Sequence, residues 1–486
     1  MLSFRLLSVR RAASLLLLLG LGVPRLAAQE YDLVIRNGRV MDPESGLDAV
    51  RNVGIRGGII RTITEQPLTG PNVIDAKGLV VAPGFIDLHQ HAQLPEDYRL
   101  KAQDGVTTVA ELEVGTADVD AWYASREGKT PINFAVSIGH IPSRMVVMGD
   151  KMEFLPGAQS GAATRIATDL ELDKIAALIE KGLQRGAVAV GFGLQYTPMA
   201  TQRETVQMFR VAARYNAPCH LHMRAKGGTG SQNVYSAVLE IIAASTITGA
   251  PAHVCHVQST ALRLTPRVME MISAAHAHGV DITTECYPYT AGMTDIKSAI
   301  FDPGWRENGE MDYSDLQWPS TGERLNAETF EKYRKTGGLV IIHSNPEDVV
   351  RDIVAHPLTM IGSDGLRGHP RHAGTSARVI GRYSRELKAI SLMQAIDKLA
   401  LMPAKRLENR VPMLRNKGRV RVGADADLVL FNPDTITDRA TYTQPDLPSE
   451  GIPHVLVGGV FVVKDGVFQA NAKPGKAVRA PIQDAR

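Results

Sequence analysis

Apolar and polar residues alternate along this chain in two rhythms. Residues 31–35, 53–55, 59–63 and 80–81 are short β-type runs broken by glycine and asparagine. The same style returns after Arg419, at 427–431, 455–457 and 460–463. Between them, apolar runs alternate with longer stretches of helical period, such as 168–185, 204–215 and 233–248. Eight runs read as strands: 84–91, 105–113, 132–138, 187–194, 219–223, 252–258, 280–287 and 358–363. Strands separated by helices predict an α/β domain with a parallel sheet. Eight such units predict a (β/α)8 TIM barrel, with function at the C-terminal strand ends. The two β-rich ends, 29–82 and 418–486, are expected to meet as a small composite β-sandwich, with the barrel (83–417) inserted. Residues 288–338 break the rhythm with glycines, prolines and one short helix at 327–335. A long insertion on the functional face predicts a lid.

Residues 1–28 follow a different pattern. Arginines come first, then an apolar run from Leu15 to Val23, then Leu26-Ala27-Ala28. That is the layout of a secretory signal with a small-residue cleavage site. The run is short for a bilayer span; an uncleaved anchor is the alternative, and Arg10-Arg11 also permits a twin-arginine route. The expectation is a periplasmic or secreted protein without stable membrane association after cleavage. The four arginines of this segment account for the formal charge of +3, and the remainder is within one charge of neutral. Nothing in that balance calls for nucleic acid. With 44% hydrophobic residues the chain can bury a core, which argues against disorder. Three cysteines in 486 residues exclude a disulfide scaffold. Cys219, Cys255 and Cys286 all fall in apolar strands and are expected to be buried free thiols. No internal repeat, glycine-rich dinucleotide loop or phosphate loop is present.

Seven of the 14 histidines lie in or at the ends of the predicted strands. His89 and His91 close the first. Residues i and i+2 of a strand share a side, so the two imidazoles can hold one cation. His222 ends the fifth strand and His256 the sixth, each adding an imidazole to the same mouth. His220 and His253 read as packing or as support for those ligands. Asp364 follows the eighth strand in Gly362-Ser363-Asp364-Gly365, where it either meets the metal and its water or makes an Asx turn. Glu111 and Glu113 share parity on strand two, and facing the helix layer would be costly for both. Inward, Glu113 is placed to bridge two cations with Glu111 supporting it; an interior ion pair is the alternative. His140, ending the third strand, either donates to a developing oxyanion or is structural.

This set resembles the amidohydrolase superfamily, and within it the N-acyl-D-amino-acid deacylases. Further likeness lies in Gly193-Leu194-Gln195-Tyr196-Thr197-Pro198, His222-Met223-Arg224, Tyr287-Pro288-Tyr289, His369-Pro370-Arg371 and Gly423-Ala424-Asp425-Ala426-Asp427-Leu428. It covers about residues 31 to 466. The resemblance implies one or two divalent ions, Zn2+ first, with His89, His91, Glu113, His222, His256 and Asp364 around them. It implies that Asp364 is the catalytic base, and that Tyr196, Arg371, Gln258 and Arg224 face the substrate. Two departures stand out. The family's metal-binding cysteine on strand two is replaced by Glu113-Val114-Gly115, a harder donor that also suits Mn, Co or Fe. The lysine two residues after the strand-six histidine is replaced by Gln258. Relatives of the dihydropyrimidinase and dihydroorotase type use a carboxylated lysine on strand four, and 187–196 has no lysine.

The expected activity is hydrolysis of a non-peptide C–N bond in a small molecule, most like the deacylation of N-acyl amino acids. A cation would activate water and polarise the carbonyl, and Asp364 would carry the proton to the leaving amine. A dipeptidase, lactonase or cyclic-amide hydrolase on the same scaffold is the alternative, and a non-catalytic relic barrel a further one. A homo-oligomer is compatible with the sequence.

Overall fold

The computed structural model describes residues 31–224 and 233–483. The expected signal segment lies outside the described residues. No helix among the described residues is long and apolar enough to cross a membrane.

Eight parallel strands form the central sheet: β1 (Phe85–Asp87), β2 (Val106–Thr116), β3 (Asn133–Gly139), β4 (Val190–Gly193), β5 (Cys219–His222), β6 (Ala252–Val254), β7 (Ile282–Cys286) and β8 (Thr359–Ile361). Each pairs with its neighbours in chain order. The ring closes just beyond the strand ends. There His91 donates its amide to Gly365 O at 3.1 Å, and Ser363 donates its amide to Asp87 Oδ1 at 3.0 Å. The helices that lead into β4 and β5 start at side-chain caps. Thr168 caps Asp169–Gln184 and Thr201 caps Gln202–Arg214, each accepting from a first-turn amide. Their apolar faces pack Ile175, Ile179, Met208 and Phe209 against the outer side chains of the barrel, such as Phe134, Ile138 and Phe192.

One irregularity positions the site. β2 and β3 pair from Thr108↔Asn133 to Glu111↔Val136, and pairing resumes only at Thr116↔Ile138. The extra residues of β2 bulge over the barrel mouth. Glycines make room for it. A Cβ on Gly191 would lie 2.4 Å from the Glu113 carbonyl, and one on Gly139 1.9 Å from the Val114 carbonyl.

The two β-rich ends meet in one continuous nine-stranded sheet. Val80–Pro83 pairs in parallel with Leu33–Asp42 on one side and antiparallel with Leu428–Phe431 on the other. Its core includes Leu33, Val40, Val53, Val81 and Leu430. The assignment of everything after residue 418 to this unit is corrected. Beyond Val467–Phe468 the chain leaves the sheet and runs along β3, where Phe134 donates to Lys476 O and Val478 to Phe134 O.

The predicted lid is a small unit with its own core. Gly292–Asp295, Leu316–Gln317 and Leu339–Ile342 form a three-stranded antiparallel sheet, backed by the helix Ala327–Thr336. Phe301, Trp305, Leu316, Phe330 and Val340 pack inside it. It extends past residue 338, because Leu339–Ile342 is its central strand and not a return to the barrel.

Candidate metal centre and active site

Four strand ends and the turn after β8 bring six donor side chains together. His89 and His91 follow β1, and their Nε2 atoms lie 3.1 Å apart. Glu113 hangs from the bulge of β2, His222 ends β5, and His256 follows β6 at the left-handed φ of 28°. Asp364 also has a positive φ, 49°, a conformation that a non-glycine residue holds only under constraint. The donor atoms of His89, His91 and Asp364 form one group within 4.8 Å, and those of Glu113, His222 and His256 a second.

The orientation of each imidazole explains how the site is built. Glu285 faces Nδ1 of His89, and Glu111 Oε2 lies 2.7 Å from Nδ1 of His91. Gln195 Oε1 lies 2.9 Å from Nε2 of His222, and Ser259 Oγ 3.2 Å from Nδ1 of His256. One nitrogen of every ring is thus tied to the protein. The other points at a carboxylate. His256 Nε2 is 2.9 Å, His89 Nε2 3.1 Å and His222 Nδ1 3.4 Å from Glu113, and His91 Nε2 is 3.2 Å from Asp364. An imidazole that donates through one nitrogen presents a lone pair on the other. His222 Nδ1 is buried without a hydrogen-bond partner, lone pair against carboxylate oxygen. A cation between them resolves that arrangement, and the N and O donors suit a divalent metal.

The electrostatics agree. Burial pushes the His91 imidazole down, but Glu111 and Asp364 outweigh it and raise it to about 9. Burial opposes ionisation of Glu113, yet His222, His89 and His256 hold it well below the usual carboxylate range. Asp364 is likewise held low, by Arg371 and His89 against its burial. An electron-rich pocket of this kind draws in a proton or a metal ion alike.

Glu111 does more than tether His91. Its other oxygen accepts from the amides of Val114 at 3.1 Å and Gly115 at 3.3 Å, so it also shapes the bulge that carries Glu113. Below this layer, His253 Nε2 lies 3.2 Å from Glu285 Oε2, and the rings of His220 and His253 pack 4.4 Å apart. Glu285 and Gln195 are functional residues that the sequence reading missed as such. The signal for Glu285 was an acid in the middle of an apolar strand.

The mouth opens into a lined cavity. Val114, Phe154, Leu155, Ile300, Ile342 and Leu366 supply its apolar wall. Tyr196, Ser259, Tyr287, Thr294 and Asn345 supply neutral polar groups. Tyr196 reaches Thr294 Oγ1 at 3.1 Å, and Asn345 Nδ2 donates to the Tyr287 hydroxyl at 3.1 Å.

Four expectations are corrected. His140 does not reach the mouth. The chain turns into the helix His140–Met148 directly after β3, and the fully buried ring meets Glu204 Oε1 at 2.8 Å, beside Arg144. Arg224 pairs with Glu240 at 2.9 Å and donates to Pro198 O, on the wall of a separate surface cleft. Gln258 is not a strand residue but lies in the short helix Val257–Ala261, buried, donating to Tyr287 O. Arg371 is buried behind Asp364, with Nη1 2.9 Å from Oδ2 at an angle outside hydrogen-bond geometry, and stacks on Tyr287. It braces the carboxylate and is not part of the cavity wall. Tyr196 does face the cavity.

The Amidohydrolase family profile matches residues 72–136 and 146–463, most of the chain. The chain belongs to the amidohydrolase family. It is 31% identical to an N-acyl-D-glutamate deacylase of Alcaligenes xylosoxydans xylosoxydans, over 93% of this chain and 97% of that one. Its fold is similar to the crystal structure of the N-acyl-D-glutamate deacylase from Bordetella bronchiseptica, complexed with zinc and a phosphonate mimic of the tetrahedral intermediate. There the TM-score is 0.80 and the identity 28%, over 93% of this chain and 100% of that one. It is similar as well to a D-aminoacylase with a binuclear metal centre, at a TM-score of 0.79 and 26% identity, over 92% and 100%. As an amidohydrolase, the protein is a metal-dependent hydrolase of carbon–nitrogen bonds other than peptide bonds, and its centre takes a divalent metal.

Proposed function

We propose that the protein removes the acyl group from N-acyl-D-amino acids. The carrying observation is that one ring nitrogen each of His89, His222 and His256 faces a single carboxylate, Glu113, beside the His91–Asp364 pair. The deacylase relatives support the substrate class. His89, His91, Glu113, His222 and His256 would hold one or two ions, zinc first. A divalent cation there supplies Lewis acidity toward the scissile carbonyl and makes water nucleophilic at neutral pH. Asp364 takes up the proton on Oδ1, the oxygen that faces the imidazoles, while Oδ2 stays braced by Arg371. It returns that proton to the departing amine. Tyr196 and Tyr287 orient the substrate by their hydroxyls, and the inserted unit over the mouth limits water.

Among the described residues, no lysine or arginine lies on the cavity wall. We therefore favour an amino acid with an uncharged, apolar side chain over the acidic ones named for the glutamate and aspartate deacylases. The N-terminal pattern of residues 1–28 supports export as the setting.

The test is a panel of N-acetyl-D- and N-acetyl-L-amino acids, offered to zinc-, manganese- and cobalt-loaded protein, with free amine as the readout. Turnover of D-forms with apolar side chains is expected. Turnover of a lactone, dipeptide or cyclic amide with none of the N-acyl amino acids would replace this reading. Metal analysis of wild type and Glu113→Ala tests the centre itself: the metal bound per chain should fall in the variant.

A further inference from the structure

We propose that Cys255 is a thiolate ligand of the metal centre, which rests on the reading of that centre given above. The donor atoms of His89, Glu113 and Cys255 lie within 4.8 Å of one another, and all three residues are buried. This group draws on β1, β2 and the turn after β6. It is distinct in composition from the two groups made by the imidazoles and acids alone.

The backbone explains how two successive residues serve one mouth. Side chains alternate along a strand, so His253 and Cys255 share the inner face while Val254 packs outward into the apolar core. His256 would then face outward. Its φ of 28° turns it back, so Cys255 and His256 both enter the barrel. The Cys255 amide is fixed by the Leu221 carbonyl at 2.9 Å, which leaves the sulfur little freedom.

Two further observations separate Cys255 from a core filler. Cys219 and Cys286 sit in the main apolar cluster, whereas Cys255 belongs to none of the apolar clusters. Glu113, which it shares with the second donor group, faces the unpartnered and buried Nδ1 of His222. An ion seated between His89, Glu113 and Cys255 meets one nitrogen, one oxygen and one sulfur. The thiol gives its proton to solvent as the sulfur binds, and no oxidant or reductant is involved. A soft donor offsets the hardness of Glu113 and favours zinc or cobalt over manganese.

The experiment is to strip the full chain of metal, load it with cobalt alone, and read both cobalt per chain and near-ultraviolet absorption. The expected result is bound cobalt with an intense thiolate-to-cobalt charge-transfer band. The band should be lost in Cys255→Ser and kept in Cys219→Ala and Cys286→Ala. Cobalt bound without that band in the wild-type protein, which needs no variant to fold, overturns the proposal and leaves the nitrogen–oxygen centre standing. A band that survives Cys255→Ser overturns it too. Failure to bind cobalt or zinc at all removes the metal centre and this proposal together.

Discussion

Glu285 faces Nδ1 of His89 from within the barrel, and so turns Nε2 of that ring toward Glu113, 3.1 Å away. Burial would favour the neutral acid, but His89 and His253 keep Glu285 well below the usual carboxylate range. Removing its charge weakens the tether without emptying the space. Glu285→Gln is expected to lower metal affinity by about 10- to 100-fold. Competition with a chelator of known affinity measures it. Unchanged affinity would make Glu285 a packing residue.

Asp364→Asn keeps the shape of the site and removes the proton carrier. We expect kcat to fall by about 10²- to 10⁴-fold, with metal per chain unchanged, because Glu113 and the four imidazoles remain. The same variant leaves the Arg371 guanidinium buried without its counter-charge, at a cost of about 3–5 kcal/mol in stability. Metal analysis decides the role. Loss of metal in step with kcat would make Asp364 chiefly a ligand.

His140, Arg144 and Glu204 are fully buried together, with Arg144 Nη1 2.6 Å from Glu204 Oε1. Glu204→Ala should destabilise the fold by about 3–5 kcal/mol, since it strands a buried guanidinium. Activity per folded molecule should change little. A variant of wild-type stability with a collapsed kcat would restore His140 to the chemistry.

Asp104 gives a pH dependence opposite in sign to ordinary acid denaturation. It accepts from Ser449 Oγ and the amides of Ser376 and Ala377. Burial nonetheless pushes its pKa from 3.8 up to about 6. The folded chain then binds more protons than the unfolded one between about pH 4 and 6, so this group's contribution falls as pH rises through that window. Asp104→Asn lacks the effect. Relative to wild type it should gain up to about 3 kcal/mol between pH 4 and pH 7. Urea unfolding of both proteins at the two pH values measures the difference, and a constant difference would mean that Asp104 titrates normally.

The strands were legible because apolar runs alternate with helical stretches; six of the eight fall inside their predicted segments, and the second and third overrun theirs, to Thr116 and Gly139. Period-two parity turned both Glu111 and Glu113 inward, even though β2 ends in a bulge that no periodicity announces. The strand reading failed where the chain stops being a strand. At His140 it has already become a helix, and at Gln258 a single helical turn intervenes. The arginines were misread for another reason. A guanidinium reads as a substrate clamp until its own carboxylate is found, and Glu240 and Asp364 become partners only in three dimensions. Glu285 and Gln195 acquire meaning from the imidazoles they orient, which requires the register between strands.

The pairing of Val80–Pro83 with Leu428–Phe431 has a consequence for how the molecule comes into being. Val80–Pro83 finds its second neighbour only after nearly the whole barrel sequence, which makes this contact one of very long range. Until then Val80–Pro83 offers a bare hydrogen-bonding edge, open to pairing with another chain. Completion of the composite sheet thus waits for residues 428–431. A chain cut short before residue 428 would leave that edge uncovered, and aggregation rather than loss of catalysis would be its first defect.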